Sequence, residues 1–218
     1  MAKFKGVILD IDGTLIDSND AHAQAWVDAL AEEGIRVPFE KIRPLIGMGS
    51  DKLLPEVSGI EKASAQGNRL SERRSQIFKE KYLPQVKPFP GVRDLITALQ
   101  QKGLKLQIAT SAQENEVKDL LKVADLLEIA GQKTTSDDAD NSKPDPDIVM
   151  AALHKMGLPT DQVVMLGDTP YDVEAARKAG IPTYVFRCGG WWQDADFKDA
   201  AAIFDGPASL LAKIEDYF

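Results

Sequence analysis

Two aspartates separated by one residue follow the first apolar run of the chain. Asp10 and Asp12 come directly after residues 7–9, a run typical of a buried strand. Carboxylates at the end of a buried strand are costly to keep ionised without a cation or specific hydrogen-bond donors. Gly13 allows a tight turn, and Thr14 adds a hydroxyl and a backbone N–H at the same place. This combination favours a metal-assisted phosphoryl-transfer site over a purely structural role.

The two carboxylates suit different steps of an attack on a phosphate monoester. Asp10 could act as the nucleophile and form an aspartyl-phosphate. Asp12 could give a proton to the leaving oxygen and later take one from water. A Mg²⁺ ion would offset the repulsion between the anionic nucleophile and the anionic phosphate by binding an oxygen of each.

Two later segments could supply phosphate-binding groups. Thr110 and Ser111 follow a second candidate strand, residues 104–109, and their hydroxyls or backbone amides could bind a phosphoryl oxygen. Capping of the next helix is the alternative for Ser111 or a neighbour. Lys143, between a serine and a proline, would place a positive charge beside Asp10 and the phosphate, and a solvated lysine in a turn is its alternative.

A further apolar run, residues 163–166, also ends in carboxylates. Asp168 is a candidate Mg²⁺ ligand at its tip. Asp172 begins the next helix, where it could ligate the metal through water or orient Lys143. The alternative for Asp172 is a helix N-terminal carboxylate that the helix dipole stabilises.

The elements that must position these residues alternate along most of the chain. Strands are predicted over residues 6–11, 104–109, 163–166 and 183–186, with a weak one over 201–204. Helices are predicted over residues 91–102, 115–123, 146–156, 171–179 and 207–217. Buried strands that alternate with helices indicate an α/β fold with a parallel sheet and right-handed crossovers.

The exception is a segment without strand patterning, residues 18–84. It is predicted to be helical near residues 22–33, 39–46, 51–57 and 62–82. We therefore expect an α/β core domain formed by residues 1–17 and 85–218, with an inserted all-helical cap domain over residues 18–84. An insertion after a strand lies above the edge of an open α/β sheet where ligands bind, and it could close over a substrate.

The composition limits the partners that we expect. The 218 residues carry a net charge of −8 and the pI is about 4.9, so nucleic acid is not an expected partner. No apolar run approaches the roughly 20 residues that span a bilayer, so no membrane association is expected. A single cysteine, Cys188, and an N-terminus without signal-peptide features favour a reducing cytoplasm. The oligomeric state stays open, with a monomer as the favoured form.

In their order and spacing, the motifs resemble those of the haloacid dehalogenase-like hydrolase superfamily. They are Asp-x-Asp-Gly-Thr, a strand-end Thr-Ser, Ser-Lys-Pro-Asp-Pro and Gly-Asp-x-x-x-Asp. The helical insertion is similar to the first cap class of this superfamily, as in phosphoglycolate phosphatase-like and β-phosphoglucomutase-like proteins. The resemblance covers essentially the whole chain and implies a Rossmann-like parallel sheet with the strand order 3-2-1-4-5.

The resemblance also implies roles for the acidic residues and the lysine. Asp10 would be the nucleophile and a Mg²⁺ ligand. Asp12 would be the acid/base and would give its backbone carbonyl to the metal. Lys143 would pair with the nucleophile and the phosphate. Asp168 would be the metal carboxylate, with Asp172 supporting the metal or the lysine.

Substrate contacts are implied in the same way. Thr110, with Ser111 beside it, would bind the phosphoryl group. His22 matches a position that assists the acid/base residue and the cap in sugar-phosphate mutases, with a partly buried helix histidine as the alternative. Gly47 lies in a cap loop that could contact the substrate. Mutases carry an arginine in this loop, and residues 46–52 contain none, which favours a phosphatase.

Together these features predict a Mg²⁺-dependent phosphatase that hydrolyses a small phosphorylated metabolite through an aspartyl-phosphate. A phosphosugar mutase of the β-phosphoglucomutase type shares every core motif and is the main alternative. A non-catalytic phosphate-binding or receiver-like sensor is a more distant one, because it needs neither a cap nor an acid at Asp12. Halide-releasing members of the superfamily lack the second aspartate, so Asp12 also argues against dehalogenation.

Overall fold

A parallel β-sheet lies at the centre of the computed structural model, which describes residues 4–129 and 132–218. The strands in these residues are β1 (Gly6–Leu9), β2 (Ile16–Asp17), β3 (Lys87–Pro88), β4 (Lys105–Ala109), β5 (Lys133–Thr134), β6 (Val163–Gly167), β7 (Thr183–Phe186) and β8 (Ala202–Phe204). Six of them form one sheet in the order β5-β4-β1-β6-β7-β8, and every pairing in it is parallel. Counted along the chain within this sheet, the order is 3-2-1-4-5-6. The predicted α/β fold with the order 3-2-1-4-5 is confirmed, with β8 added at one edge.

Helices flank the sheet and fill the segment between β2 and β3. They are α1 (Asn19–Glu32), α2 (Phe39–Ile42), α3 (Ser50–Ser58), α4 (Ala65–Ile77), α5 (Val92–Gln101), α6 (Glu114–Val123), α7 (Asp147–Met156), α8 (Pro170–Lys178), α9 (Pro207–Leu211) and α10 (Ile214–Tyr217). The single helix predicted over residues 207–217 is therefore two short helices. The helix predicted over residues 39–46 ends at Ile42, and a 3-10 turn, Arg43–Leu45, follows it. Pro44 lies in that turn, where its ring removes one backbone donor.

Three short strands were not predicted. Strands β2 and β3 pair with each other antiparallel, where the chain leaves the core and returns to it, and β5 forms one edge of the parallel sheet. Each of these strands has two residues, which is too short to show the alternation that marks a strand in a sequence. The first strand, predicted over residues 6–11, ends at Leu9 because the chain then turns through Gly13, whose φ is +76°.

The sheet separates two hydrophobic clusters. Val7 and Leu9 of β1 belong to the cluster that contains residues of α5, α6 and α9. Ile8, between them, belongs to the cluster that contains residues of α7 and α8. Successive side chains of a strand point to opposite faces, so helices on both faces of the sheet bury every residue of β1.

Helices α1 to α4 contribute to a separate hydrophobic cluster. Its buried members include Trp26, Leu30, Ile42, Leu53 and Leu70. The division into a core of residues 1–17 and 85–218 and a cap of residues 18–84 stays a prediction, and we call residues 18–84 the helical insertion. In the described part of the chain, no helix combines the length and the apolar character needed to cross a membrane.

Candidate active site

Three neighbouring strands deliver polar side chains to one edge of the sheet. Strand β1 lies between β4 and β6, and all three run in the same direction. Asp10 follows β1, Thr110 follows β4, and Asp168 follows β6. The backbone N–H of Asp10 donates to the carbonyl of Leu166 at 3.0 Å, which fixes the chain at this point. The carboxyl ends of parallel strands are where ligands bind in open α/β sheets.

Behind this edge lies a cluster of buried carboxylates paired with one lysine. Oxygen atoms of Asp10, Asp168 and Asp172 lie within 4.8 Å of one another. Lys143 is 1% exposed, and its Nζ lies 2.5 Å from Oδ1 of Asp10 and 2.8 Å from Oδ1 of Asp172. The hydroxyl of Thr14 donates to Oδ1 of Asp168 at 3.2 Å. The sequence places Lys143 133 residues from Asp10, and the fold brings them into direct contact.

The charges of this cluster are not balanced by the protein alone. Burial, with repulsion from Asp172 and Asp12, raises the pKa of Asp10 to about 7 against the attraction of Lys143. Burial and the charges of Asp172 and Asp10 raise the pKa of Asp168 well above its usual range. Burial alone would lower the pKa of Lys143, but Asp10 and Asp172 raise it, so the lysine stays charged. One cation therefore faces three carboxylates, which leaves an excess of negative charge.

A hard divalent cation fits this excess. Carboxylate oxygens are the ligands that Mg²⁺ binds in proteins. Asp172 is already engaged, because its Oδ2 accepts from the Thr169 hydroxyl at 2.7 Å and from the backbone N–H of Thr169 at 3.0 Å. These contacts cap helix α8, while Oδ1 of Asp172 faces Lys143. The groups best placed to hold a cation are therefore the carboxylates of Asp10 and Asp168.

Asp12 is held separately from this cluster. Its Oδ1 accepts from the hydroxyl of Ser18 at 2.5 Å and lies 2.8 Å from Nε2 of His22. Burial alone would raise the pKa of Asp12, but His22 and Ser18 hold it below its usual range. Two carboxylates close in sequence thus have pKa values shifted in opposite directions, a pattern that marks different acid–base roles.

The proton of His22 is fixed by its neighbours. Nδ1 of His22 lies 3.3 Å from Nη1 of Arg74, and that guanidinium also donates to Oε2 of Glu116 at 3.1 Å. A guanidinium only donates, so Nδ1 of His22 accepts and Nε2 carries the proton that is directed at Asp12. The ring of Phe78 stacks on His22 at 3.9 Å between centroids. A line of contacts thus runs from helix α6 through helix α4 to the acid/base candidate.

A small cavity of about 60 Å³ lies between the helical insertion and the sheet edge. Among its lining residues are six of the predicted site residues: Asp10, Asp12, His22, Gly47, Thr110 and Ser111. The hydroxyl of Ser111 donates to the carbonyl of Gly47 at 3.3 Å, so the two predicted substrate contacts also touch each other. The Thr110 hydroxyl oxygen accepts from the N–H of Ala112 at 3.1 Å, which leaves its proton free to donate. Gly47 has a φ of +110°, which favours glycine.

Four further residues of the site were not singled out from the sequence. They are Ser18, Asn19, Arg74 and Glu116. Arg74 had a signal, because it lies four residues after Leu70 and four before Phe78 and therefore shares a helix face with buried apolar residues. No comparable signal marks Glu116, which looks like an ordinary acidic residue in the first turn of a helix.

Three comparisons with known proteins agree on a family. The model of the haloacid dehalogenase-like hydrolase family matches residues 7–186. The phosphoglycolate phosphatase of Rhodospirillum rubrum is 30% identical over 215 residues, which cover 94% of this chain and 89% of that protein. SUPPRESSOR OF QUENCHING 1, a chloroplastic protein of Arabidopsis thaliana, is 34% identical over 186 residues, which cover 82% of this chain but 17% of that protein.

A solved structure agrees over nearly the full length. The crystal structure of a hydrolase from Pseudomonas syringae has a TM-score of 0.90 and 31% sequence identity with this chain. The superposition covers 97% of this chain and 98% of the other. The family predicted from the motifs is thereby confirmed. The chain belongs to the haloacid dehalogenase-like hydrolases and is a phosphoric monoester hydrolase of their phosphatase type.

Proposed function

We propose that this chain is a Mg²⁺-dependent phosphatase that hydrolyses a small phosphorylated metabolite through an aspartyl-phosphate on Asp10. The observation that carries the proposal is the buried contact between Asp10 and Lys143 at 2.5 Å, directly beside the separately held Asp12. Lys143 stabilises the negative charge of the nucleophile and of an incoming phosphate. Asp10 and Asp12 line the same cavity, so one phosphate group can contact both carboxylates.

In the first half of the reaction, a carboxylate oxygen of Asp10 attacks the phosphorus and forms the acyl-phosphate bond. The bond between phosphorus and the ester oxygen breaks, and Asp12 gives a proton to the leaving alcohol. The arriving phosphate dianion raises the pKa of Asp12 by like-charge repulsion, which favours the protonated form needed for this step. His22 and Ser18 hold the side chain of Asp12 in place.

In the second half, water attacks the phosphorus of the phosphorylated Asp10. Asp12, now a carboxylate, takes the proton of this water, and the bond between phosphorus and Asp10 breaks. Inorganic phosphate is released, and both aspartates return to their starting states. The N–H of His22 directed at Asp12 stabilises the carboxylate form that this second step requires.

Asp10 and Asp168 would hold the Mg²⁺ ion, with Asp172 next to them and the backbone carbonyl of Asp12 as a further ligand implied by the family. When bound, Mg²⁺ neutralises the charge that the nucleophile and the phosphate bring together. Lys143 cannot do this alone, since it already faces both Asp10 and Asp172.

The cavity supports a small substrate. Its volume is about 60 Å³, and its lining includes the apolar side chains Trp26, Ile46, Met48 and Leu53 from the helical insertion. Phosphoglycolate is the first compound to test, because the Rhodospirillum rubrum relative is a phosphoglycolate phosphatase. A phosphosugar mutase finds less support. Lys52, the basic residue of segment 46–52, lies in helix α3 and is bound to the carbonyl of Ser142 at 2.9 Å and to Asp145, so it already contacts the core.

A phosphate-release assay over a panel of phosphorylated acids and sugars tests this proposal. We expect Mg²⁺-dependent release of phosphate from at least one small monoester. A parallel assay with a sugar bisphosphate activator distinguishes the mutase. Isomerisation that needs the activator and releases no phosphate would refute the phosphatase.

A further inference from the structure

Asn19 lies directly behind the carboxylate of Asp168. It is the first residue of helix α1 and is 2% exposed. Its Nδ2 donates to Oδ2 of Asp168 at 2.8 Å and to the carbonyl of Gly189 at 3.2 Å. A residue at the start of the helical insertion therefore hydrogen-bonds one carboxylate oxygen of Asp168, in the last of the four motifs.

The orientation of the Asn19 amide follows from these contacts. Both neighbours, Oδ2 of Asp168 and the carbonyl of Gly189, can only accept hydrogen bonds when the carboxyl is ionised. The NH₂ half of the amide must therefore face them, and a carboxylate in the same place would be repelled. Oδ1 of Asn19 is buried and has no hydrogen-bond partner among the described residues. Leaving this acceptor unpaired costs free energy, so the site keeps the donor on Asp168 at the expense of stability.

The backbone around Asp168 leaves space for this arrangement and no more. A Cβ atom at Gly13 or at Gly189 would collide with the Asp168 carboxylate. The carbonyl of Gly189 also accepts from Nη2 of Arg43 at 2.5 Å, and Arg43 is 3% exposed. Oδ2 of Asp168 is thus enclosed by Asn19 and the two glycines.

The other oxygen of Asp168 faces the site. Oδ1 accepts from the hydroxyl of Thr14 at 3.2 Å, and the same hydroxyl lies 3.5 Å from Oδ2 of Asp10. Oδ1 is therefore the oxygen that lies on the side of Asp10.

We propose that Asn19 is a positioning residue for the cation site: it holds Oδ2 of Asp168 so that Oδ1 alone is presented to the cation. This inference rests on the proposed function, since the cation is part of that function. Mg²⁺ tolerates little departure from octahedral geometry, so a carboxylate free to rotate is a poorer ligand. Partners that orient metal ligands in this way are typically worth about 10- to 100-fold in metal affinity.

The test is a titration of the metal-free protein with MgCl₂. Binding is measured by isothermal titration calorimetry and by the shift in melting temperature. The variants are Asn19→Ala, which removes the donor, and Asn19→Asp, which keeps the shape and puts a carboxylate against Asp168. Asn68→Asp is the matched control, because it makes the same charge change on the exposed face of helix α4. We expect both Asn19 variants to bind Mg²⁺ about 10- to 100-fold more weakly than the wild type, with the control unchanged.

A purely structural role predicts a different result for Asn19→Asp. If Asn19 only supports the start of helix α1, Asn19→Asp would change the melting temperature of the metal-free protein but would bind Mg²⁺ with the wild-type affinity. Wild-type Mg²⁺ affinity in Asn19→Asp, or in both variants, would overturn the inference. A failure of both variants to fold would overturn it as well. A wild-type protein that does not bind Mg²⁺ would instead refute the proposed function.

Discussion

The ion pair between Arg74 and Glu116 joins the helical insertion to the α/β core, and its removal should be costly. Glu116 is 1% exposed and Arg74 is 7% exposed, with 3.1 Å between Nη1 and Oε2. Solvent therefore screens neither charge. We expect Arg74→Met to lower the free energy of unfolding by about 3–5 kcal/mol, because it leaves a buried carboxylate without its cation. The hydroxyl of Ser75, 2.5 Å from Oε1 of Glu116, does not neutralise that charge.

A second substitution separates the charge effect from the loss of packing. In Arg74→Met combined with Glu116→Gln, no buried charge is left unpaired, and the glutamine can still accept from Ser75. Neutral replacement of a buried ion pair is often close to neutral for stability, so we expect the double variant to recover most of the loss. The coupling energy from this double-mutant cycle should therefore be about 2 kcal/mol or more.

The assay is unfolding of the metal-free protein by urea, and tryptophan fluorescence measures the unfolded fraction. Arg73→Met is the matched control, because Arg73 is the neighbour of Arg74 on helix α4 and also forms an ion pair, with Glu32. The side chain of Arg73, however, is 42% exposed. An exposed pair contributes about 0–1 kcal/mol, so this control should stay near the wild type. The reasoning would be wrong if Arg74→Met cost no more than Arg73→Met, or if the double variant were as unstable as Arg74→Met.

Three other predictions concern protons. Because the metal-free pKa of Asp10 is raised to about 7, its carboxyl holds a proton that Mg²⁺ must displace. Mg²⁺ affinity should therefore rise about tenfold or more per pH unit below pH 7, because the pKa of Asp168, the other proposed ligand, is also raised, and a Kd that ignores pH would contradict this. Burial raises the pKa of Glu116, but Arg74, His22 and the hydrogen bond from Ser75 together hold this pKa below its usual range. The stabilisation by ionised Glu116 should be present above its ordinary pKa of 4.5 and be lost as pH falls through its folded-state pKa. The wild type should therefore need at least as much acid to unfold as Glu116→Gln, and a wild type that unfolds with less acid would contradict this account. His22 should carry its proton on Nε2, which nitrogen NMR can read directly because the chain has two histidines, and a proton on Nδ1 would exclude the contact with Arg74 as described.

The architecture and the sheet edge were predictable because they depend on local patterns. Short segments rich in apolar residues mark β1, β4, β6 and β7, although β4 also contains Lys105 and Gln107, and a polar motif follows β1, β4 and β6. Parallel strands share one carboxyl edge, so residues at the ends of neighbouring strands must lie together. This is why the sequence alone predicts that Asp10, Thr110 and Asp168 lie at one edge.

The residues that hold this site in place could not be predicted in the same way. The contact between Asn19 and Asp168 joins positions 149 residues apart, and that between Arg74 and Glu116 joins positions 42 apart. Both depend on how the helical insertion sits on the core, which no local pattern encodes. Arg73 and Arg74 show the difficulty, since adjacent arginines in a polar helix have opposite environments. Only the helical phase relative to Leu70 distinguishes them.

The measurement that tests the central claim most directly is the detection of a phosphoryl group on Asp10. The enzyme is mixed with p-nitrophenyl phosphate and Mg²⁺, quenched in acid during turnover, digested and analysed by mass spectrometry. We predict one added phosphoryl group, labile to hydroxylamine, on the peptide that contains Asp10. Asp10→Asn should fold, lack the label and release no phosphate. Turnover without a labelled peptide, a label on another residue, or near-normal activity of Asp10→Asn would contradict the covalent mechanism.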